Sequence, residues 1–166
     1  MKQLKPQLIG LITGAFMIIA SWIAFYELHL PTQSRFQYLV YSIYSAGIIL
    51  SLFSFYKSDA ESKKFKDYFS EGFKTFIIVV LLMVAYTWIF VKMNPGIIDS
   101  FIEENNKALL AQGNRTQAEI QNNAVNIRSM FPLTMVMGAI VTYLIIGALI
   151  SLVGSGFLSQ QGEKKL

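Results

Sequence analysis

The stretch FKTFIIVVLLMVAYTWIFV at residues 73–91 decides the fold class, because it is long, apolar and charged only near one end, at Lys74. A helix needs about 20 such residues to cross the hydrocarbon core of a bilayer. Three further apolar stretches lie at residues 7–28, 36–55 and 133–158, and none carries a charge in its middle. Backbone amides in lipid must pair within their own segment, so each stretch predicts a helix. We therefore expect an all-α integral membrane protein, a four-helix bundle forming one domain over residues 1–166.

The composition agrees with a membrane location. Of the 166 residues, 54% are hydrophobic and 14% are charged, and the mean hydropathy is +0.47. The chain has no cysteine, which excludes disulfides, thiolate metal sites and cysteine nucleophiles. The net charge of +4 comes from basic residues that flank the apolar stretches, where they set orientation and meet phospholipid headgroups. We therefore expect the lipid bilayer as a partner, and no nucleic acid.

The first apolar stretch resembles a secretory signal, because Lys2 and Lys5 precede it. It continues through Trp22 and Tyr26, however, which is too long for a signal core of about 7–15 residues. No small-residue cleavage motif follows it. We therefore expect a retained transmembrane helix.

The distribution of basic residues predicts the orientation. Nine of the fourteen lie at the two ends of the chain and between the second and third stretches. The other five lie after the first and third stretches: Arg35, Lys92, Lys107, Arg115 and Arg128. By the positive-inside rule, both termini are cytoplasmic and the long loop at residues 94–132 is external.

Small residues recur at four-residue spacing on three of the predicted helices. This spacing lets two helix backbones approach closely. It indicates either packing within the bundle, which is the commoner use, or an interface with another membrane protein or a second copy of the chain. The residues concerned are Gly10, Gly14, Gly47, Ser51, Gly147, Ser151 and Ser155.

The cytoplasmic loop predicts a short amphipathic helix at residues 58–71. Ser58 and Glu61 have capping-box spacing, and Gly72 is expected to break the helix before the third span. The lysines here either attract anionic lipid in general or hold one specific anionic headgroup. They are Lys57, Lys63, Lys64, Lys66 and Lys74.

The external loop predicts two amphipathic helices. Residues 97–112 have helical composition and end at Gly113, and Thr116 and Glu119 then form a second capping box. The two helices form either a separate cap or extensions of the third and fourth spans.

The second span carries three tyrosines in its outer half, Tyr38, Tyr41 and Tyr44. They favour an interfacial aromatic belt over a polar pocket.

The sequence offers little catalytic chemistry. His29 is the only histidine, no group of metal-ligating residues is apparent, and no glycine-rich phosphate loop occurs. The middles of the spans hold no ionisable residue, although ion-coupled transporters usually need one. We therefore expect no enzyme activity, no metal and no cofactor.

Several motifs, taken in order, carry a family resemblance. The run FSEGFK at residues 69–74 opens the third span, Asn94 and Pro95 precede a charged helical loop with its turn at Gly113, and GALISL follows at residues 147–152. In order and spacing they resemble the bacterial domain-of-unknown-function family numbered 4199, small four-span membrane proteins typical of Bacteroidetes. The resemblance implies the inner membrane of a diderm bacterium, a periplasmic long loop, and genes near those of polyprenyl-phosphate sugar transferases. It implies no activity and no catalytic residue.

Two functional hypotheses remain. The first is a non-enzymatic inner-membrane accessory subunit that packs against a membrane partner through its small-residue faces and its external loop. The second is binding or translocation of an amphipathic lipid, such as a polyprenyl-phosphate intermediate, with the five cytoplasmic lysines at its headgroup.

Overall fold

A computed structural model describes residues 4–29, 35–58, 64–113 and 115–163, with side chains up to residue 161. Every regular element in these ranges is helical, so the all-α prediction is confirmed. Four helices are long and apolar enough to cross a membrane, as the sequence predicted. The elements are α1 (Pro6–Trp22), which continues as a π-helical segment (Ile23–Glu27), α2 (Gln37–Tyr56), α3 (Phe65–Met93), α4 (Gly96–Gln112) and α5 (Gln117–Glu163).

The predicted break at Gly72 is wrong. Helix α3 runs without interruption from Phe65 to Met93, and Gly72 is buried in its first third. The helix begins where the Lys64 backbone N–H donates to the Asp67 carboxylate at 3.0 Å, a cap supplied from within the first turn. The predicted cap residue Glu61 lies outside the described residues. The amphipathic segment is thus, in its described part, the first two turns of α3.

The external segment combines both predicted alternatives. Its first helix, α4, is separate from α3, because the helical conformation is interrupted at Asn94 and Pro95. Its second helix continues directly into the fourth span as α5, with Pro132 inside the helix. The predicted turn is confirmed, since Gly113 ends α4 at φ 67°, a backbone angle that only glycine adopts freely.

The predicted capping box at the start of α5 is also confirmed. The Glu119 N–H donates to Thr116 Oγ1 at 3.3 Å, and the Thr116 N–H donates to Glu119 Oε2 at 2.8 Å. Each residue satisfies a backbone N–H that the first helical turn leaves without a partner.

The chain divides into two compact units. The first consists of Met1–Met83 with Ile140–Leu166, and the second of Val84–Ala139. In the first unit Leu4 N–H donates to Ser54 Oγ near the start of α1 and the end of α2, so these two helices are antiparallel. Fully buried side chains from three of its helices fill the core, among them Met17, Ile48 and Val79.

Candidate functional site

All seven small residues singled out in the sequence are buried in the first unit. A Cβ added at Gly10 would lie 2.7 Å from the Thr75 carbonyl oxygen, and one at Gly47 would overlap the Thr13 side chain. Close backbone approach of this kind requires residues with little or no side chain. The chain's own helices therefore cover the small-residue faces, and a partner has to contact a different surface.

Gly147 is tightly enclosed by side chains of two other helices. The Tyr44 hydroxyl donates to the Tyr143 carbonyl at 2.9 Å and lies where a Gly147 side chain would be. A Cβ at Gly147 would also lie 2.8 Å from the Phe76 ring. Tyr44 is completely buried, so the prediction of interfacial tyrosines is wrong for this residue. Sequence spacing placed the tyrosines on α2 but could not show that α5 covers one of them.

A polar layer that the sequence did not reveal crosses the first unit near the start of α3. Thr75 Oγ1 lies 2.7 Å from Ser51 Oγ and 3.2 Å from the Pro6 carbonyl oxygen, so hydroxyls of α2 and α3 meet the start of α1. One turn before Thr75, the largely buried Glu71 accepts a hydrogen bond from Lys74 Nζ at 2.8 Å. The sequence could have predicted this ion pair, because an acidic and a basic residue three positions apart lie side by side on a helix.

Two of the five lysines predicted to bind a headgroup contact other groups of the same chain. Lys74 pairs with Glu71, and Lys57 Nζ lies 4.6 Å from the centre of the Phe53 ring. Lys64 and Lys66 are exposed at the start of α3, and Lys63 lies outside the described residues. Two of the five predicted headgroup ligands are therefore already engaged by groups of the same chain.

The second unit contains a helical hairpin, formed by α4 and the first part of α5. The core of this unit consists of Val91 of α3, Ile98 and Ile102 of α4, and Phe131 of α5. At its surface Arg128 of α5 and Asp99 of α4 form an ion pair. The Glu103–Lys107 pair, at 2.7 Å, lies on α4, and the hydrogen bond from the lysine lowers the pKa of the Glu103 carboxyl.

Four large apolar side chains in the described part of this hairpin are exposed, namely those of Phe101, Leu110, Val125 and Met130, and two of them lie well away from the apolar stretch of α5. Leu110 is 59% exposed near the end of α4, and Val125 is 64% exposed on α5. Both belong to the stretch that the sequence assigned to the water-exposed external loop.

Metal-ligating side chains do not cluster anywhere in the described ranges, because no three of His, Asp and Glu lie close enough to hold an ion. His29 is exposed at the end of the π-helical segment.

Comparison with known protein families gives one match. A family model described as "Protein of unknown function (DUF4199)" covers residues 8–160, nearly the whole chain. The chain belongs to this family. The resemblance noted in the sequence is thereby confirmed, and membership assigns no activity to the DUF4199 fold. No curated protein and no solved structure shows significant similarity to the chain.

Proposed function

We propose that this protein is a non-enzymatic accessory subunit of a bacterial inner membrane, and that its hairpin binds another membrane protein. The observation that carries the proposal is the exposure of Leu110 and Val125 in the hairpin. The small-residue faces, which were the alternative contact surface, are covered within the first unit.

Lipid accounts for exposed apolar side chains elsewhere in the chain. Phe16 and Leu149, at 60% and 57% exposed, lie in the middle of apolar spans, where a hydrocarbon environment is expected. Val125 differs, because eight residues separate it from Leu133, where the apolar stretch of α5 begins. At 1.5 Å per residue this distance is about 12 Å along the helix. Lipid tails therefore do not reach Val125, and a protein surface is the better cover.

The charge of the hairpin indicates what kind of partner surface fits it. Residues 94–132 hold three basic and four acidic side chains, so the segment is nearly neutral. All three basic side chains already form ion pairs with acidic side chains of the same segment. Full burial of a valine or leucine side chain contributes about 1.5–3 kcal/mol. Apolar complementarity, rather than charge, is therefore the expected basis of binding.

Affinity purification from native membranes in mild detergent tests this proposal. The wild-type protein should bring down a second membrane protein or a second copy of itself. Val125→Glu should abolish this, because it places a charge in the contact. Asn126→Glu adds the same charge about 100° around the helix and should retain the partner. A protein that emerges alone and monomeric from every preparation would remove the basis of the proposal.

The lipid hypothesis has a separate support, the exposure of Lys64 and Lys66 at the start of α3. An anionic headgroup near the start of α3 would be attracted by these two exposed ammonium groups. Mass spectrometry of lipid in the same preparations distinguishes the two functions. A specific lipid that is lost in the Lys64→Glu/Lys66→Glu variant would favour lipid binding, whereas ordinary phospholipids alone would exclude it.

The proposed orientation places both termini in the cytoplasm and the hairpin in the periplasm. Nine of fourteen basic residues then lie on the cytoplasmic side. The chain has no cysteine, so the labelling of a single introduced cysteine shows on which side of the membrane that residue lies. Gln112→Cys should react with a membrane-impermeant maleimide in intact spheroplasts, and Lys66→Cys should react only after the membrane is opened. The opposite labelling pattern would invert the topology.

A further inference from the structure

Three buried hydroxyl groups in the first unit have no hydrogen-bond partner within the described part of the chain. They belong to Tyr68 of α3 and to Ser151 and Ser155 of α5, and all three residues are 0% exposed. Serines in a helix commonly donate to the carbonyl four residues earlier, as Ser42 and Ser45 do in α2 at 2.8 Å. A buried hydroxyl without a partner destabilises the folded state, because it has lost its hydrogen bonds to water. Three such groups on two helices indicate a bound polar ligand.

The register of α3 and α5 places the three residues at successive levels of one seam between these two helices. A Cβ at Gly147 would touch Phe76, and a Cβ at Gly72 would lie 2.6 Å from Ser151 Oγ. Position 147 of α5 thus lies beside position 76 of α3, and position 151 lies beside position 72. The numbers rise on α5 as they fall on α3, so the two helices are antiparallel. One further turn in the same direction brings Tyr68 to the level of Ser155. Tyr68 and Ser155 therefore extend the contact that Gly72 and Ser151 begin.

The charges beside this seam decide which ligand it takes. A cation would require an uncompensated negative charge, but the nearby carboxylate of Glu71 is paired with Lys74 at 2.8 Å. The same pairing neutralises Lys74, and the other described lysines of this part of α3, Lys64 and Lys66, are exposed to the surface rather than buried in the seam. Hydroxyls both donate and accept hydrogen bonds, and a buried water molecule makes about three of them. We propose that Tyr68, Ser151 and Ser155 bind one or more water molecules between α3 and α5.

Hydroxyl-radical footprinting of the purified full-length protein in nanodiscs tests this site. Radicals that X-rays generate from a bound water label the side chain next to it, even when bulk solvent cannot reach that side chain. Tyr44 is the matched control, because it is equally buried and its hydroxyl is bonded to the Tyr143 carbonyl. Tyr68 should be labelled severalfold faster than Tyr44. Equal rates for the two tyrosines would overturn the proposal.

A pair of variants separates bound water from local opening of the helices. Ser155→Thr and Ser155→Val have nearly the same shape, and only threonine keeps the hydroxyl. Labelling of Tyr68 should be severalfold faster in the threonine variant, because that variant retains a partner for the water. Equal labelling in both variants would show that the radicals reach Tyr68 through motion of the helices, and would also overturn the proposal. The wild-type comparison stands even if neither variant folds.

Discussion

Gly147→Ala should destabilise the first unit strongly, although it adds only one methyl group. The added Cβ would occupy the position of the Tyr44 hydroxyl and would lie 2.8 and 2.9 Å from two carbon atoms of Phe76. Both neighbours are buried, so neither can move away into open space.

The magnitude follows from two effects. Overpacking a core by a methyl group costs about 1–3 kcal/mol. Displacing the Tyr44 hydroxyl from the Tyr143 carbonyl leaves a buried polar group without a partner, which costs about 1–3 kcal/mol more. The better helix propensity of alanine recovers about 0.5–1 kcal/mol. We therefore expect the free energy of unfolding to fall by about 1–5.5 kcal/mol.

Reversible unfolding in mixed micelles with increasing dodecyl sulfate measures this change. Gly156→Ala is the matched control on the same helix, because nothing lies within 4 Å of a Cβ at that position. The control should leave the free energy of unfolding unchanged or raise it by up to about 1 kcal/mol.

A double variant tests the assigned cause. Tyr44→Phe removes the hydroxyl that the new Cβ would meet, so Gly147→Ala should cost at least about 1 kcal/mol less in that background. Equal stability of Gly147→Ala and Gly156→Ala, or strict additivity with Tyr44→Phe, would refute the packing described for Gly147.

Three further changes have defined outcomes. Gly72→Ala should lower the free energy of unfolding by about 1–3 kcal/mol because its Cβ would meet Ser151, whereas a glycine that merely broke a helix would tolerate alanine. Thr116→Ala removes the hydroxyl that caps the Glu119 N–H and should cost about 1 kcal/mol, visible as faster hydrogen exchange in the first turn of α5. Asp99→Asn breaks an exposed ion pair and should cost at most about 1 kcal/mol, so a larger thermal shift would contradict its description as a surface contact.

Hydrophobicity alone located the membrane helices, because a lipid environment leaves the backbone few alternatives to a helix. The first span was expected to begin at residue 7 and begins at Pro6, and the second was expected at residue 36 and begins at Gln37. The capping box at Thr116 and the turn at Gly113 were equally predictable, since both depend on local chemistry.

Features that depend on a neighbouring helix could not be read from the chain. Gly72 resembled a helix breaker, yet it is a packing residue, because Ser151 of α5 lies against it. The length of the apolar stretch predicted a fourth span at residues 133–158, whereas α5 covers Gln117–Glu163. The two differ because a helix can continue beyond the point at which its side chains become polar. The π-helical segment at Ile23–Glu27 also had no signal in the sequence.

The candidate site was less predictable than the fold. The small residues were recognised by their spacing, but spacing does not say whether the neighbouring helix belongs to the same chain. The burial of Glu71 likewise comes from tertiary packing, which no local pattern around it describes.

Site-specific photo-crosslinking in native membranes tests the proposed partner most directly. A photoreactive side chain at Leu110 should give one discrete crosslinked protein, because this residue is exposed on the hairpin. The same group at Phe16, on the apolar surface of the first span, should crosslink only to lipid. A protein adduct at Phe16 with none at Leu110 would contradict the account, since the partner would then bind the spans and not the hairpin.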